Sequence, residues 1–267
     1  MDPYIHGSNR KEQNRLSRLN EILNAKCLRH INIEKGMKIL DVGSGLGQMV
    51  NKLGEMTGPN GVVLGIERDQ NQLASARKLS SDSLPIKFRK GNAYDLPLES
   101  SEWGSFDLIH CRFVLEHLNR PEDAVAQMYL AAKRAGKIIL FDDDHQNFRI
   151  TPTCEGFDTL WKVYYKTYEK LGNDPFIGRK LVGLLKSTGC KNIKNGQVFF
   201  GSCADEPQFT LYAENLIEVV ALAKDTILSF NLLSEEEFEQ CISDMIQWSQ
   251  KPDAAIWYQV CFAQGTK

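Results

Sequence analysis

Asp41, Gly43, Ser44, Gly45 and Gly47 fall within the ten residues ILDVGSGLGQ, Ile39 to Gln48. An apolar run feeding a glycine-rich turn is the arrangement by which backbone N–H groups at a helix start hold a ligand. Glycine there permits positive φ and lets the ligand approach with no Cβ in the way. The register fits G-x-G-x-G, whereas a dinucleotide fingerprint needs glycine or alanine where Gln48 stands. Asp41 adds a negative charge beside the turn, which repels a pyrophosphate and suits a ligand carrying an ammonium group. About 20 residues on, Glu67 ends the run VVLGIE, where a carboxylate can accept hydrogen bonds from two ribose hydroxyls. An acid at a strand end is by itself often only a solvated charge; at this separation from the glycine turn it points to a ribose. Further on, GNAYDLPL offers Asn92, Ala93 and Tyr94 to the edge and face of an adenine, with Leu73 or Tyr94 as its apolar cover. Alone, that stretch is a loop.

A second group, FDDDHQ, supplies Asp142, Asp143, Asp144 and His145. Such residues can act as general bases where an acceptor proton is within hydrogen-bond reach, and adjacent carboxylates repel, so partial burial raises at least one pKa. Asp143 and His145 are the catalytic candidates. Against this, an acidic run after a strand is ordinarily a solvated loop. His117 in LEHLNRP reads as a helix-packing residue, and His110 as a structural residue inside a strand.

These groups need a scaffold that brings strand ends together. Short apolar runs alternate with segments of helical period from Ile39 to about Asp142, the pattern of βαβ units on a parallel sheet. Strands are predicted at Lys38 to Val42, Val62 to Ile66, Ile86 to Lys90, Phe106 to His110 and Lys137 to Asp142. Asp69 with Gln72 resembles a capping box, and Pro121 suits a first helical turn. Leu16, Leu19, Leu23 and Cys27 predict an amphipathic helix over residues 9 to 33 that covers the sheet. After Asp142 the pattern predicts helices from Thr153 to Leu171 and Arg179 to Ser187, a strand in IKNGQVFF, helices near Glu206 to Ser229 and Ser234 to Ser249, and a last strand in AAIWYQVCFA. The helix containing Phe157, Trp161, Tyr164, Tyr165 and Tyr168 is chiefly core, with outer members able to wall an apolar pocket. In such an open α/β sheet, ligands bind beyond the carboxyl ends of the strands, where strand order reverses.

Composition limits the partners. The 267 residues carry a net charge of −2, with 42% apolar and 25% charged side chains, so no positive field favours nucleic acid. No apolar run reaches the roughly 20 residues of a membrane span, and MDPYIHGSNRKEQ lacks a secretory signal, so a cytoplasmic chain is expected. Seven scattered cysteines without a CxxC pair predict buried thiols in place of disulfides or structural zinc.

The ordered set ILDVGSGLGQ, VLGIERD, GNAYDLPL, FDLIHCRFVLEHLNRPEDAV and GKIILFDDD resembles the motifs of class I S-adenosylmethionine-dependent methyltransferases, in particular the small-molecule branch similar to ubiquinone and menaquinone biosynthesis enzymes. The resemblance is close over residues 36 to 145. It extends more weakly to YIHGSNRKEQNRL and DPFIGRKLVGLLKSTGC, which look like parts of natural-product methyltransferases with an N-terminal lid and late capping helices. It implies a Rossmann-like, doubly wound seven-stranded α/β sheet whose last strand is antiparallel, with a lid over residues 1 to 33, a methyltransferase domain over 34 to 267 and a cofactor-binding core over 34 to 145. Helical cap elements would occupy 146 to 175 and 205 to 250. For S-adenosylmethionine, with S-adenosylhomocysteine as product, the resemblance assigns Gly43, Ser44, Gly45 and Gly47 to the backbone cradle of the methionine part and Asp41 to its amino group. Glu67 would take the ribose, Arg68 would flank the adenosine, and Asn92 with Ala93 would read the adenine. Cys111 and Arg112 would line the methionine side with Glu116 or His117 behind them, and Tyr4 and Arg15 would close over the cofactor. No metal is required.

The expected reaction is in-line methyl transfer to a small-molecule acceptor. One alternative is an NAD(P)-dependent oxidoreductase, disfavoured by the missing third glycine and by Asp41. Another is a non-catalytic S-adenosylmethionine-binding protein. A nucleic-acid acceptor lacks both a basic tract and an Asn-Pro-Pro-Tyr-type element for a flipped base.

Overall fold

The computed structural model describes residues 22–267. Among the described residues, ten strands are joined by helices that cover both faces of one large sheet. The strands are β1 Lys38–Val42, β2 Val62–Glu67, β3 Ile86–Lys90, β4 Phe106–Arg112, β5 Ala132–Asp142, β6 Arg149–Thr151, β7 Lys191–Phe199, β8 Ser202–Cys203, β9 Ala255–Trp257 and β10 Gln259–Thr266. The helices are α1 over 22–28, α2 Gln48–Thr57, α3 Gln70–Leu79, α4 Pro121–Ala131, α5 Glu155–Lys170, α6 Leu181–Ser187, α7 Phe209–Leu222, α8 Lys224–Ser229 and α9 Glu235–Ser249.

The large sheet has the order β3-β2-β1-β4-β5-β10-β7, with β10 antiparallel to both neighbours and β1 to β5 parallel. This is the expected seven-stranded sheet with its last strand antiparallel. Strand order reverses between β1 and β4, whose carboxyl ends carry Asp41 and His110 as direct neighbours.

Each strand buries alternate residues on opposite faces, as the two-residue period requires. Ile39, Val63, Leu108 and Ile139 face a core built with α1, α2, α5, α7 and α9. Leu40, Leu64, Ile109 and Ile138 face a second core completed by α4 and α6. Asp69 caps α3 by accepting from the N–H groups of Asn71 and Gln72 at 2.9 and 2.8 Å, and Pro121 opens α4. Six of the seven cysteines are buried and all are free thiols; Cys203 is exposed. Among the described residues no helix is long and apolar enough to cross a membrane.

Four sequence expectations need correction. The helix expected over 9 to 33 is helical over 22–28 among the described residues, with Leu23 and Cys27 fully buried; Leu16 and Leu19 lie outside the described residues. The segment Glu206 to Ser229 is two helices, because the chain leaves helical geometry at Ala223. The run AAIWYQVCFA is two strands: β9 joins a separate three-stranded sheet in the order β6-β9-β8, and β10 enters the large sheet. Finally, β5 begins at Ala132, directly where α4 ends.

Candidate active site

The glycine turn follows β1 and is fixed by its own backbone. The N–H groups of Gly43 and Ser44 donate to Ile66 O at 2.8 and 3.0 Å, tying the turn to β2. Gly43 has φ +77, and a Cβ there would lie 2.2 Å from Val114 Cγ2, so any other residue is excluded twice over. Gly45 N–H donates to Glu67 Oε2 at 2.9 Å, and Asp69 N–H donates to Oε1 at 2.8 Å. The glycine turn and the acid after β2 are therefore one unit. Burial pushes the Glu67 carboxyl above the usual carboxylate range, while these backbone donors pull the other way.

One cavity of about 660 Å³ runs from this turn under α1, α5 and α7. Asp41, Gly43, Ser44, Gly45, Glu67, Arg68, Asn92, Ala93, Arg112, Glu116, Asp143 and His145 all line it. Gly47, Leu73, Tyr94 and Cys111 do not, for separate reasons. Gly47 adopts φ +76 at the start of α2, and a Cβ there would lie 2.7 Å from the Phe88 ring, so this glycine serves helix–sheet packing. Leu73 is buried beneath α3, and its neighbour Gln72 reaches the cavity instead. Tyr94 packs on the second core, its hydroxyl accepts from Arg120 N–H at 3.2 Å, and the Arg120 guanidinium lies over its ring. Cys111 points into the second core, whereas His110 and Arg112 on either side of it face the cavity. Tyr4 and Arg15 lie outside the described residues.

His110 lies inside β4 as expected, and the same parity also brings it to the cavity wall. Its Nδ1 donates to Asp41 Oδ1 at 2.6 Å in a fully buried pair, while Nε2 has no hydrogen-bond partner. A strict two-residue count along β4 would have found it. Gln72 and Tyr258 were also missed, and Tyr258 carries no local signal because it lies between β9 and β10, far along the chain.

The other end of the cavity sorts the acidic run. Asp142 is fully buried at the end of β5, where its carboxylate accepts from Leu115 N–H at 2.9 Å and Asp143 N–H at 3.1 Å. Asp144 forms a two-pronged pair with Arg179, Nε to Oδ2 at 2.6 Å, and caps the turn holding His145 through Gln146 N–H. Only Asp143 of the three lines the cavity, and its carboxylate accepts from the Tyr258 hydroxyl. Burial first, and then the like charge of Glu116, holds the carboxyls of both Asp142 and Asp143 well above the usual range.

His145 is 2% exposed, and burial lowers its pKa, favouring the neutral ring. Its Nε2 faces Glu116 Oε2 at 3.1 Å, and its Nδ1 has no partner. Glu116 Oε1 also lies 3.6 Å from His117 Nε2, so His117 belongs to the cavity wall in addition to stacking on Tyr168. Trp161, Tyr164 and Tyr168 of α5 surround the His145 ring with centroids 5.1 to 5.4 Å away, and Trp161 Nε1 donates to His145 O at 2.7 Å. Of the other aromatics on α5, Phe157 packs against Trp161 and Tyr165 meets Phe176; neither lines the cavity.

A bound S-adenosylmethionine fits these residues on one direct observation. Ser44 Oγ is buried on the cavity wall without a hydrogen-bond partner, beside a turn that tolerates no added Cβ at Gly43. A buried hydroxyl in that state is completed by a polar ligand.

Comparison with known proteins gives the family. A methyltransferase-domain model matches residues 33–172, more than half of the chain. The demethylmenaquinone methyltransferase of Lactococcus lactis subsp. lactis strain IL1403 is 27% identical over 168 residues, 62% of this chain and 61% of that protein. The match thus spans less than two thirds of that relative's length. Among solved structures, the YcgJ protein from Bacillus subtilis aligns with a TM-score of 0.59 at 14% identity, covering 91% of this chain and 97% of that one. The phosphoethanolamine N-methyltransferase 2 of Haemonchus contortus, solved with phosphomonomethylethanolamine and S-adenosylhomocysteine, aligns at 0.52 and 18% identity, covering 95% and 52%. At these identities the structures establish the fold alone. With the family model, the strand order and the glycine turn coupled to Glu67, the chain belongs to the class I S-adenosylmethionine-dependent methyltransferase domain family.

Proposed function

We propose that this chain transfers a methyl group from S-adenosylmethionine to a small-molecule acceptor. The observation that carries this reading is the single cavity that joins the Gly43 to Glu67 unit to the pocket around His145. Gly43, Ser44 and Gly45 would hold the methionine part, with Asp41 and Arg112 toward its charged ends and Glu116 behind them. Asp41 is oriented for this by His110. Glu67 would accept from the ribose hydroxyls with the lone pairs its backbone donors leave free, Arg68 would flank the adenosine, and Asn92 with Ala93 would meet the adenine edge. When bound, the cofactor supplies an electrophilic methyl group on a positively charged sulfur.

The protein's part is alignment and exclusion of water, for which proximity can contribute about 7 to 11 kcal/mol. Trp161, Tyr164 and Tyr168 wall the acceptor end, and α1 covers the cavity through Leu23. On this same helix, Asn24 Oδ1 accepts from Arg112 Nη2 at 3.0 Å. His145 Nδ1 is the proton acceptor: Glu116 occupies Nε2, which fixes the proton there and leaves the Nδ1 lone pair to the acceptor's proton. Asp143, raised by burial, stands beside it as the second proton-carrying group.

Isothermal titration with S-adenosylhomocysteine, with NADH as control, tests the cofactor assignment. Saturable binding of the first alone supports it, and binding of NADH alone refutes it. Labelled methyl transfer to an acceptor panel then separates turnover from the alternative of a non-catalytic cofactor-binding protein.

A further inference from the structure

Asp41 and His110 are direct neighbours on β1 and β4, where strand order reverses, and both line the cavity. Their side chains are 3% and 1% exposed, with His110 Nδ1 at 2.6 Å from Asp41 Oδ1. Among the described residues His110 is the only ion-pair partner of Asp41. An ionised carboxylate can only accept, so this bond keeps a proton on Nδ1 and leaves Nε2 of the neutral ring as a lone-pair acceptor. That acceptor is buried and has no hydrogen-bond partner. Phe141, whose ring centroid lies 5.7 Å from that of His110, has no polar donor to give it.

Leaving a buried acceptor unpaired costs enough that native proteins complete nearly all of them with a ligand or an ordered water. The completing group here must bring a donor to Nε2 and also suit the Asp41 carboxylate bonded to the same ring. An ammonium satisfies both demands. It carries three N–H donors, and its charge is attracted to Asp41 in a site of low dielectric. A phosphate or a carboxylate fails twice, because its oxygens accept and its charge repels Asp41. Water supplies the donor but leaves the Asp41 charge without a counter-cation. Ser44 Oγ, also buried on this wall without a partner, can accept a further N–H of the same ammonium.

We infer that His110 is a direct cofactor contact whose Nε2 accepts a hydrogen bond from the ammonium of the methionine part, beside Asp41. This rests on the methyltransferase reading above and adds to it a specificity residue, since orienting Asp41 requires Nδ1 alone. The pair divides the work of recognition: Asp41 supplies the charge, and the imidazole lone pair supplies direction. The same two acceptors select against a nucleotide cofactor, whose pyrophosphate oxygens would face both of them.

The test is a binding cycle on the full chain at about pH 8, above the usual imidazole range. Wild type and His110→Asn are each titrated with S-adenosylhomocysteine, with its analogue lacking the amino group and with its analogue lacking the carboxylate. Asparagine keeps an amide N–H for Asp41 and puts nothing where Nε2 stood. Removing the amino group should cost wild type about tenfold more affinity than it costs the variant, as a hydrogen bond to a charged group requires. Removing the carboxylate should cost both proteins equally. A general loss of pocket shape weakens all three ligands together and cancels in these ratios. Equal amino-group ratios in the two proteins, or a larger difference on the carboxylate, would overturn the inference while leaving the methyltransferase reading intact. No binding of S-adenosylhomocysteine by wild type would overturn both. A second measurement needs no variant: in ¹⁵N-histidine-labelled wild type, the Nε2 resonance of the ring whose Nδ1–H is bonded to Asp41 should shift on saturation with S-adenosylhomocysteine and stay in place with the analogue lacking the amino group. Equal shifts with the two ligands would count against the contact.

Discussion

Glu67 has two duties that separate on mutation. Its oxygens accept from Gly45 and Asp69 N–H groups, and those same oxygens face the cavity. Glu67→Ala removes the proposed ribose acceptor and leaves two backbone donors to water. The expected outcome is at least a tenfold loss of S-adenosylhomocysteine affinity by calorimetry, for hydrogen bonds to a charged group worth about 1.5–3 kcal/mol. Far-ultraviolet circular dichroism should stay native. Asp143 gives a pH prediction. Its folded-state pKa is raised by burial and Glu116, so its contribution to stability is present below the unfolded value and lost as pH rises through the folded one. Asp143→Asn escapes that loss. In thermal melts it should be more stable than wild type at pH 8 by on the order of 1 kcal/mol, about 2–4 °C, with the gap closing toward pH 4. His145 runs with the opposite sign: its lowered pKa means that stability is lost as pH falls below its unfolded value of about 6.5.

At the scale of elements, the turn after β1 combines a ligand wall with a packing joint. Gly47→Ala must place a Cβ in left-handed backbone against the Phe88 ring, which costs about 1–3 kcal/mol for the backbone alone. Chemical denaturation should show that loss, while the backbone bonds of the Gly43 to Gly45 segment to β2 and Glu67 persist. The β1 to β5 scaffold was legible in the sequence because buried parallel strands are short apolar runs separated by helix-period segments, and β1 and β3 match their expected bounds. The glycine turn and Glu67 were legible for the same reason: their chemistry is local in sequence. The miss at Cys111 came from reading strand-end residues as a set, when the two-residue period sends Cys111 to one face and His110 with Arg112 to the other. The β9 and β10 division was hidden because AAIWYQVCFA is apolar on both sides of Gln259, and only pairing with β6 and β8 separates its first half. Tyr258 was hidden because its partner, Asp143, is 115 residues away.

Across the whole molecule the cavity has two sources. The parallel strands supply the glycine turn, Glu67 and Asn92, whereas α5 and α7 supply Trp161, Tyr164, Tyr168 and Asn215. A ligand that bridges them should act as a strut. At about 100 times its dissociation constant, S-adenosylhomocysteine is expected to add about 2.7 kcal/mol and raise the melting temperature by roughly 5–10 °C. A scan at rising ligand concentration checks this, and a flat melting temperature would refute binding of S-adenosylhomocysteine.

The end of β5 has a consequence for how this chain can vary. Asp142, Asp143 and Asp144 are chemically identical neighbours, yet one pins the Leu115 backbone, one enters the cavity and one grips Arg179. Exchanging any two of them changes nothing in the sequence, so the site is blind to permutation here but acutely sensitive to spacing. Deleting one aspartate retains the composition of an acidic strand end while leaving one of three posts unmanned and shifting His145 off Glu116. Length in this short run is thus under tighter constraint than identity, and a tolerated single-residue deletion there would have to be accompanied by a compensating insertion before His145.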